Sequence, residues 1–206
     1  MSQFFQIHPK NPQVHLIREA IVIIRSGGVI IYPTDSGYAL GCQMGNKDAI
    51  QRIRQIRQLD EKHHFTLICR DLSELSTYAE FDNSMYRLLR AHTPGPYTFI
   101  LRATHEVPRR LMHPKRRTIG LRIPDQPITS ALLEMLDEPL ISSTLILPGQ
   151  DSPLIEPQAM RDLLGNKVDL IIDGGPCGLE PTTIIDLVDG PPRIIRVGKG
   201  DPKPFM

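Results

Sequence analysis

The sequence predicts an α/β fold: a twisted mixed β-sheet with flanking helices. Three observations carry this. Short β-branched runs alternate with segments whose apolar residues recur at helical spacing. The alternation is loose rather than in strict βα units, and some links are too short for a parallel crossover. The run Val29-Ile30-Ile31, bounded by Gly27-Gly28 and Pro33, has the unbroken apolarity of a central strand covered on both faces.

From Pro12 to Ser26, Val14, Leu16, Ile17, Ala20, Ile21 and Ile24 share one helical face, and Gly27-Gly28 supplies the stop. Pro33 cannot donate a ladder hydrogen bond, so the strand ends there and presents Thr34, Asp35, Ser36 and Tyr38 beyond its carboxyl edge, where ligands bind in open α/β sheets. Asn46 is a suitable N-cap for a helix over Lys47 to Arg57, with Ala49, Ile50, Ile53 and Ile56 on one face. A polar link, Gln58 to His64, leads to a strand over Phe65 to Cys69. Helical stretches follow at Leu72 to Tyr78 and Met85 to Ala91. Pro94-Gly95-Pro96 breaks the chain before a strand at Tyr97 to Arg102. Further strands are expected at Ile119 to Ile123, Pro139 to Leu147, Val168 to Ile172, Thr183 to Leu187 and Arg193 to Val197. Helices are expected at Pro127 to Leu136 and Glu156 to Leu164, the latter with Pro157 near its first turn. The tail, 198–206, has no period and is expected to be irregular.

With 206 residues, 40% of them hydrophobic, the chain suffices for one sizeable core and is short for two, so a single domain over 1–206 is expected. Lys and Arg number 24 against 23 Asp and Glu, so any affinity for nucleic acid must come from clustering rather than from net charge. Cys42, Cys69 and Cys177 show no Cys-x-x-Cys spacing. No apolar run reaches the roughly 18 residues of a membrane span, and the start of the chain lacks the pattern of a signal peptide. A cytoplasmic location is the expectation. His63-His64 with Cys69 lacks a third and fourth ligand at usable spacing, and no metal site is assigned.

Six motifs then occur in order. They are Tyr32-Pro33-Thr34-Asp35-Ser36-Gly37-Tyr38-Ala39-Leu40-Gly41, Pro94-Gly95-Pro96-Tyr97-Thr98, Thr118-Ile119-Gly120-Leu121-Arg122-Ile123-Pro124, Ile141-Ser142-Ser143-Thr144, Thr182-Thr183-Ile184-Ile185-Asp186 and Arg196-Val197-Gly198, with the turn Asp173-Gly174-Gly175 between the fourth and the fifth. Each alone is weak, but in this order along nearly the whole chain they resemble the YrdC/YciO family, and within it the YciO type. The resemblance implies a YrdC-like domain with a large concave cavity. It also implies a threonylcarbamoyl-AMP synthase-like nucleotidyltransferase acting on threonine, bicarbonate and ATP, with Mg²⁺ if catalytic, in the service of tRNA modification.

Residue chemistry can be set beside that resemblance. Arg122 lies between Leu121 and Ile123 in an apolar strand, so it faces either solvent or a polar cavity; the resemblance favours the cavity, where a guanidinium can hold a carboxylate bidentately. Thr34, Ser36, Ser142 and Thr182 offer hydroxyls that donate and accept, and with Tyr38 and Arg122 they form the expected substrate set. Tyr38 either stacks on adenine or fills the loop core. Arg57, Thr118, Thr144 and Arg196 form the expected nucleotide set, with Arg57 and Arg196 as charges for phosphates. No general base is assigned, because bicarbonate and an amine can form the carbamate themselves. Two positions depart from the family pattern of synthases. Leu59 stands where the second cation of a Lys-x-Arg is usual, and Thr144 where the Asn of Ser-Ala-Asn is usual. Each loss of a charge-assisted bond to the reacting phosphate costs about 2 to 4 kcal/mol.

The segment Arg109 to Arg117 carries Arg109, Arg110, Lys115, Arg116 and Arg117 with no acid, enough to contact an RNA backbone non-specifically. Two functions of different class therefore follow from the sequence: a synthase-like enzyme, or a non-catalytic protein that binds nucleotide or double-stranded RNA. Convergence of Arg57, Arg122, Thr144 and Arg196 on one pocket favours the first. Placement of Arg110, Lys115, Arg116 and Arg117 at the cavity mouth favours the second.

Overall fold

The computed structural model describes residues 1–60, 63 and 65–206. The chain begins with β1 (Gln3–Gln6), α1 (Val14–Arg25), β2 (Ile30–Pro33), β3 (Tyr38–Gln43), α2 (Lys47–Arg57) and β4 (Thr66–Ile68). It continues through α3 (Leu72–Tyr78), β5 (Ala79–Glu80), α4 (Asn83–His92), β6 (Tyr97–Ala103), β7 (Thr118–Arg122) and α5 (Pro127–Leu136). It ends with β8 (Leu140–Thr144), α6 (Pro157–Leu164), β9 (Leu170–Asp173), β10 (Thr183–Asp186) and β11 (Arg193–Arg196).

All described strands join one mixed sheet in the order β1-β9-β2-β3-β8-β4-β7-β6-β10-β11, with β5 paired to the end of β6. β1, β9 and β2 run parallel, as do β4 with β7 and β6 with β10; the other pairs are antiparallel. The helices form for reasons legible in their ends and faces. Asn46 Oδ1 accepts the Ala49 N–H at 2.9 Å to start α2, and Gln58 closes it in the left-handed region at φ 50. Gln126 caps α5 through the N–H groups of Ile128 and Thr129, ahead of Pro127 at its first turn.

Strand alternation sorts the apolar residues into two cores. Ile30 and Tyr32 of β2 and Leu170 and Ile172 of β9 meet α1 and α5 on one side of the sheet. Val29, Ile31 and Ile171 face the other side, where α2 and α6 pack with Leu40, Cys42, Leu67 and Phe99. β2 is buried throughout, as the apolar run requires.

Three strands escape the sequence reading. No strand is expected between Pro33 and Asn46, yet Tyr38 to Gln43 pairs on both sides and is buried on both faces, which erases its alternation. The signature stretch is therefore a hairpin, with Thr34 to Gly37 as its four-residue loop and Tyr38 inside the second strand. β1 and β5 are too short to carry a pattern. The tail has no strand or α-helix, but it is anchored: Lys203–Phe205 makes a single 3₁₀ turn, and Phe205 buries against His92, Tyr97 and Phe99.

A candidate anion-binding cleft

The register of the sheet builds the site. Tyr32, Ala39, Gly41, Ser142, Thr144, Thr66, Ile68, Gly120, Arg122, Thr98, Ile184 and Arg196 are linked through directly opposed pairs, so all lie on one face of the sheet. Helices α1 and α5 cover the part of that face around β2 and β9. Past β3 the same face is open and lined with hydroxyls. There Thr34, Ser36, Tyr38, Arg57, Arg122, Ser142, Thr144, Thr182 and Arg196 border a cleft of about 210 Å³ together with Thr66 and Thr98. A second hollow of about 490 Å³ continues it along the sheet, sharing His63, Thr66, Thr98 and Ile184 with the cleft and adding Thr118, Gly120, Arg116 and Asp186. Gly120 keeps this floor flat. A Cβ there would lie 3.3 Å from both Thr66 Oγ1 and Thr98 Cγ2.

Arg122 is 6% exposed at the end of β7. Its Nη2 donates to Thr34 Oγ1 at 3.3 Å and to the Asp35 carboxylate, and its Nε has no partner. Arg57 reaches in from the last turn of α2. Its Nε donates to the Ile146 carbonyl at 2.9 Å and its Nη1 to Ser143 Oγ at 2.6 Å. Arg196, from β11, donates to the Thr182 carbonyl from Nε at 3.2 Å and from Nη2 at 2.9 Å. Burial draws both of these guanidiniums below the usual arginine range, and for Arg196 the like charge of Arg122 adds to it. Asp35 pairs with Arg122 alone of the three converging cations, and among the described residues the cleft has a surplus of positive charge that an anion would relieve.

Other expected residues have different surroundings. The Tyr38 ring is fully buried, with its hydroxyl donating to the Gly175 carbonyl at 2.7 Å and accepting the Gly174 N–H at 3.2 Å, so it packs into the core from the start of β3 and pins the 174–175 turn rather than offering a face to adenine. Ser36 and Thr34 share the hairpin loop, where Thr34 Oγ1 donates to the Gly37 carbonyl at 2.6 Å. Ser142 Oγ accepts the Tyr32 hydroxyl at 2.6 Å, and Thr182 Oγ1 lies 2.8 Å from Thr98 Oγ1. Thr118 lines the second hollow rather than the cleft. Thr144 faces the cleft, whereas Leu59 packs against the core beside α2. Neither neighbouring arginine replaces the charge missing at Leu59. Arg52 pairs with Asp169 at 2.8 Å, and Arg54 donates to the Asp60 carbonyl while lying over the Phe65 ring. Lys62 lies outside the described residues.

The basic segment is divided. Arg110 donates to the carbonyls of Met44 and Gly45, and Arg116 pairs with Asp186 at 2.9 Å beside the second hollow. Arg109 and Arg117 border a separate concavity with His105 and Glu80, and Lys115 is exposed. Of the basic residues set as a criterion, only Arg116 stands at the cavity, while Arg57, Arg122, Thr144 and Arg196 meet in one cleft.

Sequence reasoning gave Asp35 no role beyond its place at the ligand edge and missed Thr66 and Thr98 as site residues. Thr66 and Thr98 carry a legible signal, since each is a hydroxyl at the inward position of a strand whose next residue is core: Leu67 and Phe99. Asp35 stands in the signature loop at the ligand edge, but its pairing with Arg122 carries no signal, because the partner lies 87 residues away.

An open mixed sheet with a hydroxyl-floored, arginine-walled cleft defines a mixed α/β domain with a candidate site for a small anion. The chain belongs to the Sua5/YciO/YrdC family, whose model, described as "Telomere recombination", matches residues 22–198. It is 58% identical to the YciO protein of Escherichia coli (strain K12) over 206 residues, the whole of both chains. The crystal structure of that protein superposes with a TM-score of 0.96 over the full length of each. More distantly, it is 32% identical to the threonylcarbamoyl-AMP synthase of Coxiella burnetii (strain RSA 493) over 184 residues, 88% of this chain and 96% of the other. A structure of P. abyssi Sua5 complexed with L-threonine shares the fold, with a TM-score of 0.87 at 24% identity over 96% of this chain and 58% of that one. The chain is thus a YciO-type member of a family that includes the threonylcarbamoyl-AMP synthases. Among the described residues no helix is long and apolar enough to cross a membrane.

Proposed function

We infer that the cleft takes a carboxylate-bearing amino acid, threonine in the first instance, together with ATP, and that the protein forms threonylcarbamoyl-AMP or a close analogue in support of tRNA modification. The observation that carries this reading is the convergence of Arg57, Arg122 and Arg196 on one hydroxyl-lined cleft, where Asp35 pairs with Arg122. Arg122 suits the carboxylate, because a guanidinium edge matches its plane. Arg57 and Arg196, each anchored to backbone, suit phosphate oxygens. The adjoining hollow, with Thr118 and Gly120 on its floor, has the room for a nucleoside.

In this reaction the amine and bicarbonate join to a carbamate with loss of water. A carbamate oxygen then attacks the α-phosphorus, the bond to the β-phosphate oxygen breaks, and pyrophosphate leaves. Positioning and charge neutralisation supply the acceleration. Among the described residues, Asp35 beside the cleft and Asp186 at the second hollow are already paired with arginines, so Mg²⁺ would arrive with the nucleotide and neutralise its charge.

The test is incubation with ATP, Mg²⁺, threonine and labelled bicarbonate, with Arg122→Ala as control for contaminating synthase. Labelled threonylcarbamoyl-AMP with pyrophosphate, both lost in the variant, is the expected result. ATP binding without product from threonine or other amino acids would discard the synthase reading. The alternative reading, a nucleotide- or RNA-binding protein without turnover, draws on the separate concavity bordered by Arg109 and Arg117. It requires double-stranded RNA affinity that falls steeply with salt and is lost on changing those two residues.

A further inference from the structure

Asp35 touches the arginine cleft, yet the proposed reaction leaves it without a role. Its contact with Arg122 is buried on both sides, the two side chains being 8% and 9% exposed. The second carboxylate oxygen of Asp35 accepts the Asp125 N–H at 2.9 Å, and the Lys199 ammonium donates to its backbone carbonyl. Asp35, in the four-residue loop of the β2–β3 hairpin, is therefore held at three points.

The pairing is incomplete on the other side. Nε–H and Nη2 form one edge of a guanidinium, and a free carboxylate takes that edge with both oxygens. Asp35 and Thr34 share Nη2, while Nε of the same edge is buried with no partner. Asp35 leaves Nε unsatisfied, its other oxygen being turned to the Asp125 N–H. An unpaired buried guanidinium would destabilise the empty protein, so some resident acid is needed there. The resident acid found is one that an ideal carboxylate can outcompete.

We propose that Asp35 is a placeholder carboxylate, which neutralises Arg122 in the empty cleft and is displaced when the carboxylate of the ligand takes the Nε–Nη2 edge. This rests on the reading of the cleft as a carboxylate site. The hairpin loop can release Asp35 while β2 and β3 stay paired, since no ladder bond beyond Pro33–Tyr38 involves it. Affinity is then set by an exchange of carboxylates, which selects planar two-oxygen anions over anions that reach Nη2 alone. Asp35 is in this sense a positioning and selectivity residue.

The experiment follows the Arg122 Nε–H cross-peak in protein labelled with ¹⁵N-arginine, assigned by its loss in Arg122→Lys, during titration with L-threonine and separately with acetate. The comparison is with Asp35→Asn, which keeps an oxygen for the Asp125 N–H, and with Asp35→Ser should the first variant fold poorly. The expected result is a shift of the peak on titration and an apparent Kd about tenfold lower once Asp35 is neutralised. A merely structural role would raise the Kd instead. An unchanged or higher Kd in folded variants overturns the placeholder, as does a peak that no probe moves in any of the proteins. Tightened acetate binding with no response to threonine sustains the placeholder and discards the amino-acid reading alone.

Discussion

Arg57 and Arg196 reach the cleft from a helix end and an edge strand, and each is fixed by hydrogen bonds to backbone before any ligand arrives. That preorganisation gives a direct expectation. Arg57→Ala or Arg196→Ala should weaken ATP binding by about 10- to 100-fold, since a hydrogen bond to a charged group contributes about 1.5 to 3 kcal/mol. Calorimetric titration with ATP checks it, and an unaltered affinity would remove the phosphates from these two residues. Thr144 stands on the cleft floor where synthases usually offer an amide. Thr144→Asn is expected to raise product formation on the order of tenfold or more, read in the labelled-bicarbonate assay. Leu59→Arg should do less, because Leu59 packs on the core rather than bordering the cleft. At this scale Arg122 was partly legible, since an arginine between Leu121 and Ile123 must face away from the core they enter. Its partner Asp35 was not, because an ion pair across 87 residues leaves no local trace.

At the scale of elements, β2, β3 and β8 form a stack in which one residue's absence of a side chain makes room for another's reach. The Tyr32 ring crosses over Gly41 to donate to Ser142, and a Cβ at Gly41 would come within 2.6 Å of that ring. Gly41→Ala should therefore displace Tyr32, lower stability by about 1 to 3 kcal/mol in urea unfolding, and loosen Ser142 at the cleft. Burial pushes the Tyr32 hydroxyl up to about 12, so it remains a donor through the physiological range. A second tie joins the basic segment to β10. Burial acts to raise the Asp186 carboxyl, but the Val188 N–H and the guanidiniums of Arg116 and Arg193 together hold it below its ordinary value. A carboxyl whose folded pKa lies below its unfolded one contributes stability that is complete above about pH 4 and lost as pH falls through the folded value. Asp186→Asn should cost about 2 kcal/mol at pH 7 and flatten the acid limb of the stability profile, measured by thermal melts from pH 7 to 2. The sequence offered Asp186 as part of a motif. Its partner Arg116, 70 residues away, became visible only in the folded chain.

For the whole molecule, the fold class was legible because β2 and the amphipathic helices announce themselves by period and by stops such as Gly27-Gly28 and Pro33. The ten-strand path of the sheet was not, since β9 inserts between β1 and β2, and β10 pairs with β6, through contacts more than 80 residues apart. The cleft was legible as a set of hydroxyls and arginines in motifs, but not as a place. It exists because α1 and α5 cover one half of a sheet face and leave the other bare. That half-covered face separates two inheritances along each strand. In β7, Ile119 and Leu121 hold the core while Thr118, Gly120 and Arg122 meet whatever lies in the trough, and β6 and β10 divide in the same way. Divergence in ligand can proceed at alternate positions without reopening the problem of folding, so relatives on this scaffold are free to keep one architecture while trading one chemistry for another.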